Sequence, residues 1–307
     1  MKKENFSFLS AEGKTDIHAV RWIPEGEVKA ILQIAHGMSE HIGRYEGLAE
    51  FLSNHGILVT GNDHLGHGGS VKKPEDLGYF AEEDGNSCVL SDMETLRQIT
   101  AKLYPGKPYF LLGHSMGSFL CRQYIAIHGD RIKGALIMGT GDYPALVTSF
   151  AKTVCRLQAA FKGWRYRSEL VNGLSFGGYN KGYGEKGGFQ WLSGNAENVK
   201  KYEEDPLCGF IFTLNAFYGM FTSIHLLSKK DYVKRMPKEL PVIFLSGDDD
   251  PVGNKGKAVK KVYDQFRSLG MKDVTFRLYH GDRHEILGES DRNTVYKDIE
   301  DWITSKE

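Results

Sequence analysis

The chain lacks a charge excess: among its 307 residues, 39 Lys and Arg balance 39 Asp and Glu. With no net positive field to gather polyanions, a nucleic-acid partner is not expected. Cysteine is scarce as well. The four residues, Cys88, Cys121, Cys155 and Cys208, form no Cys-x-x-Cys pair, which argues against a zinc ribbon, and a chain of this length does not need disulfide staples. Long apolar runs are almost missing. The opening MKKENFSFLSAEGK has no unbroken apolar stretch of the kind a signal peptide needs, so a cytoplasmic protein is expected. One 21-residue stretch, Leu207–Leu227, carries no formal charge and is long enough to span a bilayer. Asn215, His225 and two glycines interrupt it, and Phe210, Leu214, Phe217, Phe221 and Ile224 recur at steps of four and three. It reads as a buried or groove-lining helix.

What is present is alternation. The segment NFSFLSAEGKTDIHAVRWIP alternates apolar and polar residues around Glu-Gly-Lys, as a β-hairpin at a sheet edge would. Short apolar runs at 30–35, 57–61, 109–113, 133–140, 241–247 and 274–281 are separated by helical patterns, which predicts an α/β fold with a mostly parallel sheet covered on both faces. The alternation stops between 142 and 236. There Leu146, Phe150, Val154, Leu157 and Phe161 share a helical face, and a connector with nine glycines runs from Gly163 to Gly194. The expected organisation is a core of residues 1–141 and 237–307 interrupted by a mostly helical cap, 142–236.

Gly113-His114-Ser115-Met116-Gly117 fits G-x-S-x-G, although a chain with 36 glycines is expected to show about 0.3 such matches by chance. Its setting is more specific: a buried-type strand ends at Gly113 and a helix begins near Met116, where a serine would occupy a strained turn facing helix amides. A serine hydroxyl needs a histidine to take its proton and a carboxylate to orient that histidine. After the strand at 241–247 come Asp248, Asp249 and Asp250, and after the strand at 274–281 comes His284; His280, at the strand end, is expected to pack instead. The order Ser, Asp, His is that of nucleophile-elbow hydrolases. An oxyanion also needs two amides, which the turn HGMSEH (36–41) can supply from Met38 and the elbow from Met116. The stretch DHLGHGGS (63–70) has two histidines three apart but no further ligands in register, so it reads as a structured loop shaping the pocket floor, with no metal and no cofactor expected.

HGMSEHIGRYEGLAEFL, DHLGHGGS, GHSMGS, GDDDPVG and RHEIL, in this order, resemble the monoacylglycerol lipase and lysophospholipase branch of the α/β-hydrolases. The resemblance implies Ser115 as nucleophile, Asp250 as orienting carboxylate, His284 as base, and the Met38 and Met116 amides as oxyanion hole. It implies hydrolysis of a carboxylic acyl ester, such as a glyceride or lysolipid, with esterase and acyltransferase as alternatives and a ligand-binding module as a different class. His36, Phe210, Leu214, Phe217 and Phe221 are candidate substrate contacts, core packing being the other reading of the apolar four. The uncharged helix and the basic segment 229–235 are compatible with a transient membrane or micelle contact.

Overall fold

The computed structural model describes residues 1–184 and 188–306, so a short part of the glycine-rich connector lies outside the described residues. Eight strands form one sheet: β1 (Lys2–Leu9), β2 (Asp16–Ile23), β3 (Ala30–Ala35), β4 (Ile57–Asn62), β5 (Tyr109–His114), β6 (Gly134–Met138), β7 (Val242–Gly247) and β8 (Val274–Tyr279). They lie in the order β1-β2-β4-β3-β5-β6-β7-β8. The β1–β2 hairpin and the β2–β4 pair are antiparallel, and every later pair is parallel. The expected fold class is therefore observed. Every residue of β3 through β7 is buried, because helices cover both faces and leave no side for polar alternation.

The helices are α1 (Glu46–Ser53), α2 (Gly85–Leu103), α3 (Met116–His128), α4 (Ala145–Lys162), α5 (Glu169–Phe176), α6 (Ala196–Glu204), α7 (Leu214–Leu227), α8 (Lys230–Val233), α9 (Lys257–Ser268) and α10 (Arg292–Thr304). Alternate residues of one strand feed two separate cores. Leu32, Ile34, Phe110 and Leu112 pack with Leu48 and Leu52 of α1 and Ile299 and Ile303 of α10. Ile31, Ala35, Tyr109 and Leu111 face the other way, toward Val89 of α2, Leu120 and Tyr124 of α3, and Phe217 of α7. Each fully buried Leu, Ile or Phe contributes about 1.5–3 kcal/mol, so the register that sorts them between faces is strongly specified.

Helices α4 to α8 all fall between β6 and β7. The uncharged stretch 207–227 is helical only from Leu214, capped by Thr213 Oγ1 on the Ala216 N–H, and no helix among the described residues is long and apolar enough to cross a membrane. Asn215 accepts from Phe80 N–H and donates to Ala81 O, and His225 meets Thr148 of α4. The apolar face expected on α4 exists but does not face the core. Leu146, Phe150, Leu157 and Phe161 are exposed, and the helix instead buries Thr148, Cys155 and Ala159.

Candidate active site

Between β5 and α3 a single residue, Ser115, makes the whole reversal. Its φ of 52° and ψ of −117° lie where a non-glycine backbone costs about 1–3 kcal/mol, a strain held by the packing around it. A Cβ on Gly117 would stand 1.9 Å from the carbonyl oxygen of Ala35, and one on Gly113 would stand 2.2 Å from the carbonyl of Gly117. The two glycines thus let the elbow press against β3. Ser115 N–H donates to Met138 O at 3.0 Å, and Ser118 returns its N–H and Oγ to the Ser115 carbonyl at 2.9 and 2.6 Å.

The three consecutive aspartates are sorted by their partners. Asp248 accepts from Gly281 N–H and from Nδ1 of His280 at 2.8 Å each, and Asp249 takes Lys255 Nζ at 2.7 Å. Asp250, fully buried, lies 3.0 Å through Oδ2 from His284 Nδ1 and accepts Val252 N–H on Oδ1 at 2.8 Å. His280 does not pack: its side chain is 100% exposed, an ion-pair partner on the surface. His284 is buried between the rings of His114, at 4.8 Å, and Trp191, at 5.1 Å, and its Nε2 has no hydrogen-bond partner among the described residues. His284 and Ser115 line one cavity.

The turn after β3 presents Met38 beside Ser115 and Met116. Neither the Met38 nor the Met116 N–H donates to a protein group among the described residues, whereas Gly37 N–H is spent on Glu40 Oε1 at 2.5 Å. Glu40 belongs to a buried network that the sequence does not announce. It also accepts from Tyr45 OH at 2.9 Å, Arg44 at 2.9 Å and His114 Nδ1 at 3.2 Å, and Arg44 forks onto Glu285 at 2.6 and 2.7 Å. Burial opposes ionisation of Glu40, but the His114 bond and the Arg44 charge outweigh it and hold the carboxyl well below its ordinary range. Burial likewise opposes protonation of His114, yet the bond and charge of Glu40 raise its affinity for the proton. With Nε2 3.2 Å from His284 O, His114 ties the base's backbone to the turn that carries Met38.

His36 is not a substrate contact. It is fully buried, donates through Nδ1 to Gly37 O at 2.8 Å and accepts His64 N–H on Nε2 at 3.0 Å. The stretch 63–70 lies behind the turn and not on the cavity floor. Asp63 takes Ile42 N–H, Gly69 N–H and His18 Nδ1, and against the cost of its burial these bonds hold its carboxyl at about 2. Burial pushes His36, His64 and His67 down to about 3, so the three rings, in tilted and edge-on contact, are neutral struts. One group outside this stretch, His41, Asp205 and Cys208, brings ligand-type atoms within 4.8 Å of one another. His41 already spends Nδ1 on Gly43 N–H and Nε2 on Asp205, which makes it a tie between segments.

Two cavities meet at Ser115. One, of about 300 Å³, is almost wholly apolar, walled by Phe119, Val154, Leu174, Met220, Phe221 and Ile224. The other, of about 370 Å³, includes Glu169, Asn172, Tyr202, Phe210, His284 and Glu285. Of the four apolar candidates, Phe221 lines the first and Phe210 the second. Leu214 and Phe217 line neither. Both lie on α7 and are fully buried in the core. The walls contributed by α4 and α5, and Trp191 at the junction, were not legible beforehand, since the first come from faces that are also exposed and the last from an irregular connector.

The sequence model of the family described as serine aminopeptidase, S33, matches residues 26–291. A monoglyceride lipase from Homo sapiens is 28% identical over 296 residues, covering 93% of this chain and 86% of its own. A monoacylglycerol lipase from Mycolicibacterium smegmatis is 26% identical over 315 residues, covering 99% and 98%. A thermostable carboxyl esterase from Bacillus coagulans, solved in complex with glycerol, superposes with a TM-score of 0.90 at 27% identity, covering 100% of this chain and 99% of its own. With most of its length matched and its eight-stranded sheet in place, the chain belongs to the serine aminopeptidase S33 family and is an α/β-hydrolase.

Proposed function

We propose that this chain is a carboxylic ester hydrolase that cleaves monoacylglycerol-like esters through an acyl-enzyme on Ser115. The observation that carries the reading is the position of Ser115 between an apolar cavity and a second one, into whose mixed lining Glu40, Glu169, Asn172, His284 and Glu285 bring polar groups. His284 Nε2, free of other partners, takes the Ser115 proton while Asp250 holds Nδ1–H and stabilises the imidazolium. Oγ attacks the ester carbonyl, and the Met38 and Met116 amides, unspent on protein acceptors, receive the oxyanion. His284 then protonates the departing alcohol, and water, activated by the same histidine, releases the acid. The apolar cavity suits the acyl chain, where each buried CH₂ is worth about 0.8 kcal/mol, and the second, where Glu169, Asn172 and Glu285 interrupt an apolar lining, suits a small polyol. A lysolipid is the second substrate class this division admits. The family's peptidase name is not favoured, because the cavity beside Ser115 is built for a hydrocarbon tail.

Residues 142–236 act as a cap over this site. Eight of the eleven large apolar side chains left exposed among the described residues fall on it: Leu146, Val147, Phe150, Leu157, Phe161, Trp164, Leu170 and Leu174. Val147, Phe150 and Leu174 also line the apolar cavity, so its mouth opens onto this patch, as suits a substrate drawn from a membrane or micelle. A fluorophosphonate probe tests the chemistry, with a panel of monoglycerides, lysolipids and aryl esters for the class. Labelling that disappears in Ser115→Ala is expected; no labelling of active protein, or labelling that survives the substitution, overturns the reading.

A further inference from the structure

The turn carrying Met38 is tied on both sides of the Met38 amide, which donates to no protein group among the described residues. The peptide plane that carries the Met38 N–H is held by His36 Nδ1–H on Gly37 O at 2.8 Å, the plane before it by Gly37 N–H on Glu40, and the plane after it by Ser39 N–H on His67 Nε2 at 3.2 Å. His67 accepts there because its Nδ1–H is given to Leu65 O at 3.0 Å. Ser39 itself has a φ of +54°, a left-handed conformation that costs a serine free energy unless its surroundings hold it. What holds it is a segment more than 160 residues away. Ser39 Oγ donates to Phe210 O at 2.6 Å, and Ser39 O accepts both Tyr202 OH and Gly209 N–H at 3.0 Å.

We infer that Ser39 is a positioning residue through which the 202–210 segment sets the aim of the Met38 N–H. The inference rests on the acyl-transfer reading and on Met38 as an oxyanion donor. When the segment is seated, every polar group of Ser39 is engaged and the turn has one conformation. When it is not, Ser39 relaxes toward negative φ, the Met38–Ser39 plane rotates, and Met38 turns with it and draws the Gly37–Met38 plane, which carries the N–H, off the developing oxyanion. Tyr202, Gly209 and Phe210 also line the second cavity, so the same segment that would meet the leaving alcohol holds the oxyanion donor in place. Transition-state stabilisation is thereby coupled to correct seating of the cap.

The test compares wild type with Tyr202→Phe, which deletes one donor to Ser39 O and keeps the buried ring, and with Ser39→Ala, which deletes the bond to Phe210 O that helps hold the strained φ. Both are assayed for kcat and KM on monooctanoylglycerol and for inhibition by an octyl trifluoromethyl ketone, whose adduct with Ser115 places an oxyanion in the hole. Each variant is expected to lose about tenfold in kcat, less than the 10²–10³ of removing a donor outright, with KM within about twofold and the ketone weakened in parallel. The double variant is expected to lose far less than the product of the two. Unchanged kcat, or a loss confined to KM with the ketone unaffected, overturns the inference. If Ser39→Ala does not fold, Tyr202→Phe alone decides. Fluorophosphonate labelling of wild type separates the two levels: no labelling defeats the hydrolase reading, whereas labelled wild type with variants of wild-type kcat defeats only the role of Ser39.

Discussion

Replacing Asp250 by Asn tests the charge-relay geometry with almost no change of shape. In the structure Oδ1 accepts Val252 N–H at 2.8 Å and Oδ2 faces His284 Nδ1 at 3.0 Å, with Ser246 Oγ 3.4 Å from Oδ2. An asparagine must keep its oxygen on Val252 N–H, because a buried amide left facing a second donor costs about 1–3 kcal/mol. Its NH₂ then points at Nδ1, which is forced to accept, and the imidazole proton moves to Nε2, the nitrogen that must take the proton from Ser115. The expected loss in kcat is about 10⁴, the size of the same tautomer error in a serine protease, with the melting temperature little changed. Asp248→Asn and Asp249→Asn remove only contacts to the exposed His280 and Lys255 and are expected to leave kcat within about twofold. Initial rates on p-nitrophenyl octanoate, with calorimetry as the folding control, measure all three. Asp250→Asn retaining more than about 1% of kcat, or either neighbour losing as much as Asp250, would refute the assignment.

Gly117→Ala places a methyl 1.9 Å from Ala35 O, a contact only backbone movement can relieve, so the variant is expected to express insoluble or to melt far below wild type. Serine at both Leu157 and Phe161, which are 60% and 90% exposed, is expected to weaken partitioning onto phosphatidylcholine vesicles by about 10²-fold while sparing hydrolysis of a soluble short-chain aryl ester; equal partitioning of both forms in a flotation assay counts against the patch. Asp282, raised to about 7 by burial and then by the neighbouring Asp291 and Glu289 carboxylates, binds more protons folded than unfolded between about pH 4 and 7, so it makes stability fall as pH rises through that window. Asp282→Asn should flatten this slope and raise the melting temperature at pH 8 by about 2–4 °C; an unchanged slope would show that Asp282 does not titrate there.

Strand order along the chain, the strand-to-helix turn at Ser115 and the buried runs of the sheet were legible because each is written in a few adjacent residues: period, glycine spacing and turn chemistry are local. The choice among Asp248, Asp249 and Asp250 was not, since adjacent identical carboxylates differ only in whom they meet, here His280, Lys255 and His284. The apolar stripe of α4 was visible as periodicity, but periodicity does not say what covers a face, and on this helix the large residues are left uncovered. Leu214 and Phe217 passed for substrate contacts for the same reason: an aromatic stripe looks alike whether it lines a cavity or fills a core. The network of Glu40, Arg44, Tyr45, His114 and Glu285 and the clamp on Ser39 join residues up to 241 positions apart, and only the tertiary structure, by closing those long loops against one another, decides that they meet.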